Sequence, residues 1–137
     1  MTKHSADFRV YYEDTDSGGV VYHACYLHFA ERGRTELLRS LGYENQKLRD
    51  KEGIGFVVRN MDIHFIKPAR LDDMLSVQTS VSNIKNSSFV MNQHIMRGDS
   101  SISDINASLV CVEAQNFKPV RMPDEIKKAF LKYKEDK

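Results

Sequence analysis

From Tyr22 onward, apolar side chains recur at steps of three and four: Tyr22, Tyr26, Phe29, Ala30, Gly33, Leu37 and Leu41. That period gathers them on one face of a helix of about five turns, with Glu31, Arg32, Arg34 and Arg39 on its other side. Gly42 supplies the expected stop. Upstream, residues 8–13 are rich in strand formers and predict a first strand, which ends in the turn-forming run Asp14-Thr15-Asp16-Ser17-Gly18-Gly19. Downstream, a polar connection over 44–53 has room for a short helix. Four strand-like segments follow, at 54–66, 74–84, 88–97 and 102–115. Val57, Met61, Ile63 and Phe65 fall on alternate positions, as do Ile105, Ala107, Leu109 and Cys111, the pattern of half-buried strands. The separators at 68–73, 85–87 and 98–101 are short and turn-like, which predicts antiparallel hairpins. Pro123 opens a final amphipathic helix carrying Ile126, Phe130 and Tyr133 on one face.

Strand, long helix, four strands and a short helix make an α+β layer pair, because the one long helix must cover the apolar face of the antiparallel sheet. An open sheet leaves two edges, and pairing an edge with a second copy hides it, so a dimer or larger homo-oligomer is expected.

Composition narrows the function classes. The chain has 137 residues, 41% hydrophobic and 28% charged, the makeup of one ordered globular domain. Lys and Arg number 20 against 19 Asp and Glu, giving a net charge of +1. That balance gives no global reason to seek nucleic acid or an anionic membrane. No run of about 18 apolar residues offers a transmembrane segment. The first ten residues are polar and charged and do not read as a signal peptide. Cys25 and Cys111 lie far apart and form no C-x-x-C pair, which suits free thiols in a reducing compartment. A cytoplasmic protein is expected.

The densest polar cluster runs from Tyr11 to His23, between the first strand and the start of the long helix. A helix N-terminus carries unpaired N–H groups and partial positive charge, which suits an oxyanion or a polarised carbonyl. No Ser, Thr, Asp or Asn cap precedes Tyr22, which leaves those donors for a ligand. Gly18 and Gly19 let a substrate approach the backbone, and Asp16 just before them is a candidate nucleophile or general base. Asp and Gly also serve any turn, so spacing alone favours a structural role here. Asp14, Asp16, His23 and His28 lack firm ligand spacing, and no metal is expected.

The run Tyr12-Glu13-Asp14-Thr15-Asp16-x-Gly18-x-Val20-x-Tyr22-His23-x-x-Tyr26-x-x-Phe29-x-Glu31-x-x-Arg34 resembles the signature of hotdog-fold acyl-CoA thioesterases. The likeness is to the branch shared by 4-hydroxybenzoyl-CoA thioesterase and the Tol-Pal-associated YbgC proteins. Pro68-Ala69-Arg70-Leu71-Asp72-Asp73 is also similar to the YbgC pattern, and the resemblance runs from Arg9 to about Pro123. It implies the hotdog fold, a curled antiparallel sheet wrapped around one long central helix, which agrees with the element order.

The resemblance places the catalytic carboxylate at Asp16 and the thioester carbonyl against backbone N–H groups around His23. Tyr12 and His23 match positions that line the site, and Gly18, Gly19, Val20, Val21 and Tyr22 form the substrate-binding stretch between them. It further implies hydrolysis of acyl-CoA without a cofactor, in a dimer or dimer of dimers with sites between subunits, and permits acyl carrier protein as a partner. Among basic residues that could meet the CoA phosphates, Arg59, Lys67, Arg70 and Lys85 lie on or beside strands. His28 reads as a solvated residue, while His64 and His94 read as structural histidines without an identifiable partner. Glu31 reads as a solvated or ion-paired flank of the helix. Two rivals remain: a hotdog dehydratase, against which the Asp16 motif argues, and a thioester-binding scaffold of the envelope or phospholipid-synthesis machinery.

Overall fold

The apolar stripe forms the helix its spacing predicts. In the computed structural model of the protein, which describes residues 3–135, α1 spans His23–Ser40. Tyr26, Phe29, Ala30, Gly33 and Leu37 are buried against the sheet. Gly42, at φ +92°, adopts the left-handed conformation that ends the helix. Tyr22 departs from the expected stripe: it is the residue before the helix, in an extended conformation and half exposed.

Five antiparallel strands form one sheet: β1 (His4–Arg9), β2 (Ile54–Phe65), β3 (Met74–Ser82), β4 (Ser88–Arg97) and β5 (Ser100–Glu113). Their spatial order is β1-β3-β4-β5-β2, so β1 and β2 are the edges. The first strand starts and ends earlier than its composition predicts. Tyr12–Asp14 is a tight helical turn rather than its continuation, because Asp14 Oδ2 and the Tyr11 carbonyl hold the chain in that turn.

Two further expectations are corrected. β2 and β3 are not a hairpin, since β2 pairs with β5 while β3 lies between β1 and β4. The segment between them instead passes the end of the β4–β5 hairpin. The Ile66 and Lys67 amides donate to the Ile102 carbonyl, and Arg97 Nη1 donates to the Pro68 carbonyl. Val57 does not share a face with Met61 either. A bulge at Arg59 shifts the register, so Phe56 pairs with Cys111, Val58 with Leu109 and Met61 with Ala107. One inserted residue exchanges the two faces of a strand.

The core falls into two clusters under α1. One, around Phe89, Phe130 and Ile126, takes the short helix α3 (Asp124–Phe130) against the far end of the sheet; α2 is the single turn Asn45–Lys47. The other, around Val10, Tyr26, Phe29 and Leu75, lies at the end where α1 begins. Each large apolar side chain buried this way contributes roughly 1.5–3 kcal/mol.

Gln93, on β4, is fully buried beneath the middle of α1. Its Nε2 donates to the Ala30 carbonyl at 2.9 Å and to Thr79 Oγ1 at 3.1 Å, and its Oε1 accepts from Arg34 Nη1 at 3.0 Å. Arg34 is therefore not on a solvated face as its charge predicts; only 8% of it is exposed. Burial pulls its pKa below the ordinary guanidinium value, with Glu31 acting the other way.

Candidate active site

The Tyr11–His23 segment folds back on itself before entering α1. Thr15 and Val21 form an antiparallel bridge, and the Asp16 amide donates to the Val20 carbonyl at 3.0 Å. Between them the Gly19 amide donates to the Asp16 carbonyl, closing a four-residue turn. Gly19 sits at φ +78°, a conformation other residues adopt only at a cost. Gly18 N donates to Asp16 Oδ1 at 2.8 Å, and a Cβ at Gly18 would crowd that oxygen at 3.3 Å. Asp16 thus shapes its own turn through Oδ1, while Oδ2 accepts no hydrogen bond from the described residues and faces an exposed surface.

The loop is strapped from both sides. Tyr22 N donates to the Asp14 carbonyl at 2.9 Å, and the buried Asp14 side chain accepts from Tyr11 N. On the other flank Val20 bridges Arg70, Val21 N donates to the Ala69 carbonyl at 2.8 Å, and Leu71 N donates to the Gly19 carbonyl. Ala69 is held in turn by its amide, which donates to Tyr26 Oη at 3.0 Å from the first turns of α1. The segment 69–73 therefore fixes Asp16 relative to the helix start. Sequence reasoning assigned it no such role; its signal was the run Pro68-Ala69-Arg70-Leu71-Asp72-Asp73.

Asp73 anchors this strap. Its Oδ2 accepts from Arg70 N and from Arg97 Nη1, each at 2.8 Å. Burial pushes the Asp73 carboxyl up, but the Arg97 hydrogen bond, the Arg70 amide and both guanidinium charges outweigh it and hold the group below its usual value. A carboxylate with a lowered folded pKa stabilises the fold above its unfolded value, and that contribution is lost as pH falls through the folded pKa. Asp73→Asn is accordingly expected to cost about 1–2 kcal/mol at pH 7. Urea unfolding of both proteins should show the difference shrinking below about pH 4.

At the start of α1 no side chain among the described residues caps the helix. Cys25 N donates to the Tyr22 carbonyl, whereas the His23 and Ala24 amides donate to no acceptor among the described residues. Two free donors and the helix dipole thus stand beside the Asp16 loop, an arrangement suited to a carbonyl oxygen that gains negative charge. The His23 ring stacks on Tyr22, with centroids 4.3 Å apart, and is exposed. Tyr12, at 82%, is the most exposed large apolar residue of the region, and Phe65 packs edge-on against Tyr26 nearby.

The structure brings Asp16, Gly18, Gly19, Val20, Val21, Tyr22 and His23 into one strapped loop and helix start, with Tyr12 in the turn that leads into it. Arg59 is not among them. It sits exposed at the β2 bulge, six residues, or about 20 Å, along the strand from Phe65. His94 gains a partner that was not foreseen: its Nδ1 meets Asp104 Oδ1 across β4 and β5 on the outer face of the sheet. Cys25 is no poised nucleophile, because burial and then the Asp14 charge push its thiol pKa up. Cys111 is buried and its thiol is raised further, to about 11. Asp14, Asp16, His23 and His28 do not converge on a metal site; among the described residues no three potential ligands gather.

Among the described residues no helix is long and apolar enough to cross a membrane. The family model of the thioesterase-like superfamily matches residues 10–130. The chain is 47% identical to the acyl-CoA thioesterase YbgC of Haemophilus influenzae over 122 residues, covering 89% of this chain and 90% of that one. It is 44% identical to the acyl-CoA thioester hydrolase YbgC of an Escherichia coli strain, covering 86% and 88%. Its fold matches the crystal structure of a probable thioesterase from Bartonella henselae with a TM-score of 0.86 and 41% identity, covering 89% of this chain and all of that one. Together with the curled five-stranded sheet and central helix, these matches establish a hotdog-fold enzyme: the chain belongs to the thioesterase-like superfamily, in its YbgC family of acyl-CoA thioesterases.

Proposed function

We propose that this single-domain enzyme hydrolyses an acyl-CoA to the free acid and CoA at the junction of the Thr15–Val21 loop and α1. Asp16 is the reacting carboxylate, and the His23 and Ala24 amides are the oxyanion donors. The observation that carries this reading is the pairing of an anchored carboxylate having one free oxygen with two unpaired helix-terminal amides.

Two routes fit that geometry. In one, Asp16 Oδ2 attacks the thioester carbon, the C–S bond breaks and CoA leaves as thiolate, taking a proton from solvent. Water then cleaves the mixed anhydride, yielding the acid and regenerating Asp16. In the other, Asp16 accepts a proton from a water that attacks the carbonyl, and collapse of the tetrahedral intermediate expels the same thiolate. Both place negative charge on the carbonyl oxygen, where the amides act. A thiolate leaves readily, which is why one carboxylate and a helix terminus suffice without a triad. Tyr12, Tyr22 and Phe65 give the approach an apolar border suited to the acyl or pantetheine chain.

The site of a single chain is open, since Asp16, Tyr12 and His23 are all exposed. A second copy pairing on a free sheet edge would wall it off from water, which supports a homodimer as the catalytic unit, alone or doubled into a tetramer. Arg59 on the edge strand could then serve the neighbouring copy's CoA. The cytoplasm is the compartment of this reading, because the free thiols of Cys25 and Cys111 suit a reducing environment. An acyl carrier protein as thioester carrier is the second reading, favoured by the lysines that border the groove between α3 and the β3–β4 turn.

Replacing His23 separates backbone from side chain. His23→Ala keeps the amide and should retain most of the turnover. His23→Pro removes the N–H at the first helical position, where proline is tolerated, and Tyr22 already has the extended conformation that precedes a proline. Its kcat on the best acyl-CoA should fall about 10²–10³-fold with α1 intact; equal rates for the two variants would remove the amide from the mechanism.

A further inference from the structure

Arg34 has more donors than its surroundings use. Only 8% of it is exposed and its guanidinium carries five N–H groups, yet its one hydrogen bond among the described residues goes to the neutral Gln93. It lines a groove of about 440 Å³ between α1 and the edge strand β2, with Thr35, Leu38 and Phe56 around it. A buried cation is costly unless an anion pairs with it, so the donors that Gln93 leaves over mark a place for one. The charges of the groove agree. Arg34 and Arg49 stand against Glu31 alone, a surplus of one positive charge.

The groove is one end of a longer trough. Leu27, Glu31, Arg34 and Leu38 are spaced four, three and four, which sets them on one flank of α1, about 60° wide, facing β2. Along the inner face of β2 run Phe65, Ile63, Met61, Val58 and Phe56, paired with the buried side of β5 from Ser103 to Cys111. Phe65 meets Tyr26 near the start of α1, and Phe56 lies in the groove with Arg34. The trough between helix and strand therefore leads from the His23 and Ala24 amides to the guanidinium. Its apolar walls are open: Leu27 is 39% exposed, Val58 43% and Phe65 55%. His23 and Arg34 are eleven residues apart, about 16 Å along the axis, and the arginine side chain leans back toward the helix N-terminus. That leaves roughly 10–15 Å from the amides to the guanidinium, the reach of about eight to twelve carbons at ~1.2 Å per extended bond.

We infer that this trough holds the acyl chain and that Arg34 receives a carboxylate at its far end, so that the enzyme prefers mono-CoA esters of α,ω-dicarboxylic acids of about eight to twelve carbons. The inference rests on the Asp16 site proposed above and names the substrate class it takes. The apolar walls cover the methylene chain, and the guanidinium forms charge-assisted hydrogen bonds to the carboxylate oxygens. An ordinary fatty acyl chain ends there in a methyl group and leaves the donors unpaired. The contact lies far from the reacting carbonyl and is the same in ground and transition states, so it acts on KM rather than kcat.

The test compares decanedioyl-CoA with decanoyl-CoA on the full chain, read by thiol release. Wild type is expected to show a KM about tenfold or more lower for decanedioyl-CoA, at similar kcat. Arg34→Gln should erase that preference. Glu31→Gln removes the one acid of the groove and should widen the preference a fewfold. If Arg34→Gln does not fold, the wild-type comparison and Glu31→Gln, which alters an exposed side chain, carry the test by themselves. Equal KM values on wild type, or a preference that survives Arg34→Gln, would overturn the inference and leave the Asp16 reading intact. So would an Arg34→Gln that slows both esters by the same factor, since Arg34 would then act through the fold alone. No turnover of either ester by wild type would overturn it as well. If Asp16→Asn still hydrolyses decanedioyl-CoA with the low KM, the Asp16 reading fails while Arg34 keeps its assignment.

Discussion

Asp16→Asn is expected to lower kcat by about 10³-fold or more while leaving KM within a fewfold of wild type. The asymmetry follows from what each oxygen does. The asparagine carbonyl can still accept the Gly18 amide that Asp16 Oδ1 accepts at 2.8 Å, so the turn keeps its shape and the substrate its seat. What disappears is the charge, and with it both routes open to the carboxylate: an amide neither attacks a thioester nor takes a proton from water. Because Asp16 is exposed and supports no core contact, unfolding free energy should move by no more than about 0.5 kcal/mol. Steady-state thiol release read beside an unfolding curve checks both halves. A variant that loses stability along with activity would place Asp16 in the turn rather than in the chemistry.

Gln93→Leu is expected to be the most damaging substitution for stability outside the apolar clusters, at about 3–5 kcal/mol. The swap keeps the volume nearly constant but strands two groups. The Arg34 guanidinium loses its one acceptor among the described residues, and Thr79 loses the amide that donates to it at 3.1 Å. In a domain of this size the loss corresponds to a fall in Tm of roughly 10 °C or more. Thermal unfolding followed by circular dichroism measures it. The effect should also reach activity, because Gln93 fixes the middle of α1 through the Ala30 carbonyl at 2.9 Å, and α1 carries the proposed oxyanion donors.

The same two regions mark how far the sequence could be read. The long helix was legible because its apolar residues keep one period for 18 residues and Gly42 ends it. The 88–97 strand was legible to the residue because turn formers bound it on both sides, although its buried face of Phe89, Met91, Gln93 and Ile95 alternates only in the structure. β2 was legible in existence but not in register, because the bulge at Arg59 carries no compositional mark. The β2-to-β3 crossing was misread as a hairpin for a related reason. A short turn-like segment specifies that the chain reverses, not which strand it rejoins.

At the site, Asp16, the two glycines and the uncapped helix start stood out by residue type. The strap from Ala69 to Asp73 did not, because its work is done by backbone groups that every residue carries. Arg34 was assigned to solvent by its charge. Only the packing of β4 under α1 reveals that this cation is buried on a glutamine.

Thioester cleavage is proposed to take place at Asp16, beside the first amides of α1. It is tested most directly by free-thiol release from a panel of short-chain, long-chain and aromatic acyl-CoAs, with wild type, Asp16→Asn and His23→Pro assayed side by side. Wild type is expected to turn over at least one member, and both variants are expected to lose that turnover while remaining folded. Turnover by Asp16→Asn at the wild-type rate would contradict it.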